Sequence, residues 1–541
     1  MLPSPSSSPR AILEDRLNFD VAPPKKRKTF LLTPPKESPI SRKRLAKQST
    51  QGNSRKRAKV CEPADGNIEN ETEEEDSNLF EESDDEEVKL EPTMLWSRTR
   101  RTVFNAYSML ASASPHTYKN LDVSTRPILQ SFVSSLKTDA YTCQSLNTTS
   151  FLTPPYACSY SNAAKSGGRP LLAVATEEGT VQIITTSKRK PWEPELTRTI
   201  LQPHTNGVFD VKWDRSDSQI VTCSGDHSSR ITSVERNVIT HGLHGHDSTV
   251  KTAAWDPTND SLLATGGRDG TICLWDLRNS STKSADGVSI LSPVIVIADA
   301  HEDPTKPKAR KSKKHTPMPK TVTSLIYPEG EPYGLVSSGA FDGILRFWDL
   351  RKLETPRKSR LTKPKPPSAL FSSPTDPTTL NGSKRSRGII SLVQGSGPTA
   401  GLVFGMGQDS RIHTYALSTL TPQPMGFAED AMHASSFYVG LSLSPCGNWL
   451  ACGASSPKSS TFLFEVTGAG RSGGHVEVHP AVELQGQKGE IGAVDWADGC
   501  LATCADDGMV RVWRPDVEVY QQCQEDPDEA QWEWYWSKQV R

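Results

Sequence analysis

Two arginines stand out among the residues able to do chemistry. Arg278 ends the run Trp275-Asp276-Leu277-Arg278, and Arg351 ends Trp348-Asp349-Leu350-Arg351. A guanidinium offers several N–H donors in a rigid fork, so it suits recognition of carboxylates and carbonyls. Each arginine follows its Asp by two residues. A local pair with Asp276 or Asp349 is therefore one reading. The other is a docking surface, because the same basic residue recurs in one sequence context. Groups suited to catalysis are sparse. His246 has no nucleophile placed with it, as a catalytic base would need. The ten cysteines include no CxxC pair and no metal-ligand spacing. There is no phosphate loop, no Gly-x-Ser-x-Gly and no dinucleotide fingerprint. The chain reads as a binding protein, not an enzyme, with no cofactor and no metal.

The elements that position these arginines repeat along the chain. Each Trp-Asp run follows an Asp-Gly turn, Asp269-Gly270 or Asp342-Gly343, and an alternating strand. Turn, strand and terminal Trp-Asp form the signature of a propeller blade, a four-stranded sheet repeated around a ring. The first candidate runs from Tyr156 through residues 171–175 to 181–184. The second runs from His204 through 208–213 and 220–222 to the Gly225-Asp226 turn. The third has Gly245-His246, then 250–255, 262–265 and Trp275-Asp276. The fourth covers 322–349, the fifth 389–415, the sixth 438–464 and the seventh 491–513. Strand-period alternation broken by Gly and Asp turns thus predicts an all-β fold, a seven-bladed WD-repeat β-propeller. In the third blade His246, Thr265, Asp269 and Trp275 are expected to form one hydrogen-bonded chain, which is structural. Asp342 and Asp507 hold corresponding turn positions. The second blade departs from the pattern, with Ile231-Thr232-Ser233 where Trp-Asp is expected. The last ends Trp513-Arg514-Pro515, so it supplies no third docking arginine.

Composition frames this ring. The chain has 541 residues, 35% hydrophobic, with 40 Pro and a net charge of −1. That is ample for one large propeller with unpacked flanks. Residues 1–95 read as a disordered arm of basic clusters and an acidic block. Lys25, Lys26, Arg27 and Lys28 resemble a nuclear import signal, which predicts a nuclear protein. Clusters at Arg42 and Arg55 follow. Thr33 and Thr355 precede prolines and basic residues, as proline-directed phosphosites do. The propeller is expected over 96–515, interrupted by long basic insertions at about 279–320 and 352–387. Both are rich in Pro, Ser and Lys, which suits mobile loops able to touch DNA non-specifically through its phosphates. Residues 516–541 form an acidic, aromatic tail, expected to pack on the propeller. The cysteines in apolar runs, Cys223, Cys273, Cys446, Cys452, Cys500 and Cys504, read as buried free thiols of a reducing compartment. No apolar run approaches the ~18 residues of a membrane span, so no membrane is expected. No signal peptide opens the sequence.

Several segments together resemble one family. They include Asn206-Gly207-Val208-Phe209-Asp210-Val211-Lys212-Trp213, Thr265-Gly266-Gly267-Arg268-Asp269-Gly270 and Ser338-Gly339-Ala340-Phe341-Asp342-Gly343. Phe437-Tyr438-Val439 and Ala502-Thr503-Cys504-Ala505-Asp506-Asp507 extend the likeness. In order and spacing, residues 150–515 resemble the denticleless family. The resemblance implies a substrate receptor of a cullin-4 RING ubiquitin ligase. Its WDxR boxes would dock on the ligase's propeller adaptor, the damage-specific DNA-binding protein. Its targets would be replication-licensing and cell-cycle factors presented by a degron on DNA-bound PCNA. Cullin-4 and the RING subunit would be reached through the adaptor. That role falls on Arg278 and Arg351, with Trp275, Asp276, Trp348 and Asp349 forming the boxes. The alternatives are a chromatin-binding scaffold reading histone tails and an RNA-processing propeller suggested by the basic arms.

Overall fold

Alternating apolar positions turn into antiparallel sheet throughout the computed structural model. It describes residues 124–541 except 147–150, 280–281, 285–286, 303–319, 354–366, 381–382, 384, 435, 456–458, 472–475 and 541. The expected arm lies outside these residues. The most regular sheet holds Val250–Trp255, Leu262–Gly267, Ile272–Asp276 and Ile295–Ile297 in chain order, each antiparallel to its neighbour. Thr, Val, Ile and Leu fill it, as β-branched and large apolar residues suit a pleated, buried surface. Gly270 closes its tight turn at φ +78°, a conformation that side chains rarely adopt.

The same four-strand meander recurs. One sheet starts at Pro155–Tyr160 and ends at Thr199–Leu201. Another runs from Val208–Trp213 to Val238–His244, and a third from Val322–Ile326 to Phe371–Ser372. A fourth runs from Ile389–Gln394 to Thr421–Ala428. The rest of the chain joins into a ten-stranded sheet. It contains a meander from Leu441–Leu443 to Val482–Gln485 and another of Ile491–Ala497, Cys500–Ala505 and Met509–Pro515. Ala140–Thr142 pairs with Met509–Pro515 as its outer strand, so a segment ahead of the first meander completes the last one. The fold is an all-β WD-repeat propeller.

The innermost strands pack against one another in succession, and the last, Ile491–Ala497, lies against the first, Pro155–Tyr160. Polar side chains latch these joints. Asp210 Oδ2 accepts the Ala253 N–H at 3.0 Å, Ser324 Oγ accepts from Leu392 at 3.2 Å, and Asp495 Oδ2 accepts from Tyr160 at 2.7 Å. Between sheets the gap is filled by apolar side chains. Trp275 and Leu263 pack with Val221 and Ile231 of the preceding sheet, while Trp348 and Leu335 pack with Ala264 and Leu274. Each buried indole removes a large apolar surface from water and contributes about 3 kcal/mol.

Five expectations differ from what is observed. The region 279–320 is not wholly an insertion, because Ile295–Ile297 is the outer strand of its sheet. Ser289–Leu291 adds in parallel to Val238–His244. Likewise Phe371–Ser372 within 352–387 pairs with Arg346–Asp349. Two long polar runs hid these short strands, and the basic runs themselves lie outside the described residues. The tail is woven in as well as packed on. Trp534–Gln539 pairs with both Phe132–Ser135 and Val482–Gln485. The sheet that lacks Trp-Asp still forms Ser228–Ser233 and its outer strand, because Ile231 and Leu243 supply the buried surface. Cys446 is exposed in a turn, whereas Cys223, Cys273, Cys452, Cys500 and Cys504 are buried free thiols.

Candidate functional site: two arginine forks at the strand ends

In the sheet of residues 250–297, Leu262 pairs with Asp276 and Leu263 with Trp275. Trp275 points inward, 1% exposed, and its Nε1–H donates to Thr265 Oγ1 at 2.8 Å. Thr265 meets His246 Nε2 at 2.8 Å, and His246 Nδ1 meets Asp269 Oδ2 at 3.0 Å. Asp269 also accepts the N–H groups of Asp247 and Thr271, each at 2.9 Å. The four residues expected to form a chain do so, tying turn to strands. Burial disfavours the charged His246 ring, but Asp269 and Cys273 together outweigh it and hold the ring up at about 9. Burial likewise opposes ionised Asp269, yet hydrogen bonds from His246 and Thr271 pull it down to about 2.

The next sheet builds the chain differently. Trp348 Nε1–H donates to Ser337 Oγ at 2.9 Å, and Ser337 meets Nε2 of His301 at 2.9 Å. Asp342 does not complete it: neither its Oδ1 nor His301 Nδ1 has a hydrogen bond among the described residues. Burial, with Arg346 and Lys320 nearby, lowers His301 to about 3. His301 escaped the sequence reading because residues 303–319 separate it from its inner strand. In the last meander Gln487 stands where three other sheets have His204, His246 and His301. Its Oε1 accepts from Thr503 Oγ1 at 2.5 Å, while Asp507 accepts the Lys488 and Met509 N–H groups at 3.0 and 2.9 Å.

These frames fix the arginines. Arg278 Nε and Nη2 donate to Asp276 Oδ1 and Oδ2, both at 2.9 Å, and its backbone N–H reaches Oδ1 at 3.0 Å. Arg351 repeats the fork on Asp349 at 3.0 Å for both side-chain bonds. The guanidinium hydrogen bonds hold Asp276 and Asp349 below the usual carboxylate range. Yet the arginine side chains stay 62% and 50% exposed. The local pair therefore forms, and it leaves each guanidinium half-exposed or more. Tyr333, half-exposed, lies 5.1 Å beneath the Arg351 guanidinium, a cation–π contact that the sequence did not flag. Arg514 is buried against Asp139 at 3.1 Å and donates to the Thr186 carbonyl, so it presents no fork. Lys25, Lys26, Arg27, Lys28, Thr33 and Thr355 lie outside the described residues.

Register places the arginines at one end of their strands. Trp255 and Leu263 pair near Asp276, whereas Val250 pairs with Gly267 at the opposite end. At that opposite end Tyr156, Phe209 and Tyr438 stack in parallel, with Lys251 over Phe209 and Tyr438. Each ring sits at the start of an innermost strand or just before it, where the channel opens.

The family profile "WD domain, G-beta repeat" matches residues 195–233, 237–276 and 479–514. The chain is 30% identical over 380 residues to Protein lethal(2)denticleless of Drosophila melanogaster, a match covering 68% of this chain and 45% of that protein. Denticleless protein homolog of Homo sapiens is 29% identical over 376 residues, covering 67% and 46% of the two chains. That of Danio rerio is 30% identical over 374 residues, covering 67% and 52%. The chain spans about half the length of the curated relatives it matches. Repeated sheets, paired Trp-Asp-x-Arg ends and these relatives agree: the chain belongs to the denticleless family of WD-repeat proteins.

Proposed function

We propose that this chain is the substrate-recognition subunit of a cullin-4 RING ubiquitin ligase, built on a seven-bladed ring. The observation that carries the reading is the pair of exposed guanidinium forks, each held rigid by its own carboxylate on adjoining sheets. An arginine fixed in advance loses little freedom on binding and can bond carbonyls or carboxylates of a partner. The adaptor, damage-specific DNA-binding protein, would receive Arg278 and Arg351, linking the chain to cullin-4 and the RING subunit. The opposite end of the channel is then free for targets, read here as PCNA-bound licensing and cell-cycle factors marked for proteasomal degradation. The receptor is non-catalytic, since transfer chemistry belongs to the RING and its partner enzyme. Lys25, Lys26, Arg27 and Lys28 would direct it to the nucleus. The basic runs at 306–314 and 357–365 would raise encounter rates near DNA without reading sequence.

The test is the double variant Arg278→Ala, Arg351→Ala. Losing charged hydrogen bonds at two forks costs a few kcal/mol, so adaptor affinity should fall ~100-fold or more. Circular dichroism should keep its β-sheet signature, since both arginine side chains are half-exposed or more. Unchanged adaptor affinity sinks the docking assignment. A pull-down containing histones but no adaptor or cullin would favour the chromatin scaffold.

A further inference from the structure

The two arginine forks are not equivalent. A tight turn joins Val322–Ile326 to Gly334–Gly339 at the end of the sheet that carries Arg351. In it the Glu331 N–H bonds the Pro328 carbonyl at 3.3 Å, the Gly334 N–H bonds the Glu331 carbonyl at 2.8 Å, and Gly330 takes φ +81°. The Tyr333 carbonyl accepts the Leu350 N–H at 2.8 Å, one residue ahead of Arg351. That bond holds Tyr333 against the start of the Arg351 turn, and its ring centroid lies 5.1 Å from the guanidinium carbon. The neighbouring sheet makes the same backbone bond, from the Leu277 N–H to the Ser261 carbonyl at 2.9 Å. There a serine stands where the ring would be. Among the described residues no ring lies against Arg278.

Two constraints therefore act on Arg351. Asp349 holds it through the Nε and Nη2 bonds, and Tyr333 holds it by ring contact. A ring contact uses none of the N–H donors, so it fixes a guanidinium without blocking it. Arg278 has only the carboxylate, and its side chain is 62% exposed against 50% for Arg351. Tyr333 is itself 49% exposed, so it offers apolar area beside the arginine. Tyr and Arg are the side chains that concentrate binding energy at interfaces, and a pair fixed in advance loses little freedom on binding. We propose that Tyr333 and Arg351 together form the anchor of the adaptor interface, with Arg278 a secondary contact. The adaptor surface that fits has carbonyl or carboxylate oxygens for Arg351 beside an apolar hollow for the Tyr333 ring. This anchor rests on the ligase-docking reading, and it adds a residue and an order of importance to it.

The experiment is a set of double-mutant cycles on the full chain, read as affinity for the purified adaptor by titration calorimetry. Arg351→Ala should weaken binding ~30-fold and Arg278→Ala ~3-fold. Tyr333→Ala should weaken it about tenfold, and Tyr333→Phe, which keeps the ring, should rescue most of that loss. Added to Arg351→Ala, Tyr333→Ala should cost less than about twofold more, whereas added to Arg278→Ala its full loss should multiply. A merely structural role for Tyr333 would multiply with both arginine changes and overturns the anchor. If the variant lacking both arginines binds as tightly as wild type, docking itself fails and the anchor fails with it. If that variant loses binding while Tyr333→Ala keeps wild-type affinity, docking stands and the anchor alone is overturned. Equal losses from Arg278→Ala and Arg351→Ala have the same consequence.

Discussion

Arg278 and Arg351 illustrate how one side chain serves two partners. Each spends Nε and Nη2 on its own Asp while the side chain stays half-exposed or more. The Asp is thus a positioning residue. Asp276→Asn with Asp349→Asn should leave the sheets intact and weaken adaptor binding about tenfold, as an amide holds the fork through a single acceptor. Titration calorimetry measures it, and wild-type affinity would show that the forks need no fixing. His246 gives a pH signature. Its folded-state value of about 9 exceeds the ordinary 6.5, so its stabilisation is full below 6.5 and vanishes as pH rises through 9. Asp269, at about 2 against 3.8, contributes fully above 3.8 and loses its effect as pH falls through 2. Asp269→Asn should therefore cost about 3 kcal/mol near pH 6, with the difference from wild type shrinking between pH 6.5 and 9. Urea unfolding across that range measures it, and a constant difference up to pH 10 overturns it. His204 differs, because burial outweighs Asp226 and lowers its value.

The tail strand Trp534–Gln539 shows what a short element can do. It joins Val482–Gln485 on one edge and Phe132–Ser135 on the other, covering two sheet edges otherwise open to pairing. Its Tyr535 ring packs against Gly486 and lies 4.5 Å from the Arg511 guanidinium. A Cβ at Gly486 would fall 2.5 Å from Tyr535 Cγ, and its φ of +139° disfavours any side chain. Gly486→Ala should thus cost about 2 kcal/mol or more in urea unfolding. The control is Gly499→Ala, at φ +72° with nothing within 4 Å of the added Cβ, where only the backbone is strained. Equal costs at both sites would mean that Tyr535 yields freely.

At the scale of the molecule, chain order and spatial order part company at one joint. Ala140–Thr142 precedes the first meander yet completes the last, and Asp495 bonds the Tyr160 N–H across the same joint. Arg198 and Arg189 reinforce it from the neighbouring loop, with guanidinium carbons 5.8 and 5.5 Å from the Tyr141 ring. Removing residues 1–145 should free the edge of Met509–Pro515 and open the ring. Melting should drop by more than about 5 °C. Amides of Val510 and Val512 should exchange faster than those of Val250–Trp255. Unchanged exchange would place the closing force entirely on the inner strands.

Sequence alone settled much that depends on local pattern. Asp-Gly turns, period-two strands and terminal Trp-Asp were legible because each is written within a few adjacent residues. The chain from His246 to Trp275 was legible for the same reason. The two-residue offset of Arg278 and Arg351 even contained the fork, since Asp and Arg so spaced at a strand end can meet. Tertiary structure decided whatever depends on residues far apart. Ile295–Ile297 and Phe371–Ser372 are too short to announce themselves, and only a waiting sheet edge makes them strands. Asp342 matched the turn pattern, but the position of His301 left it out of the chain. Trp534–Gln539 read as a tail because its partners lie about 50 and 400 residues earlier. Tyr156, Phe209, Tyr438 and Lys251 come from separate sheets, so a shared channel mouth exists only once the ring closes. Pairing across such distances is set by buried area and free N–H and C=O edges, which no local window of sequence contains.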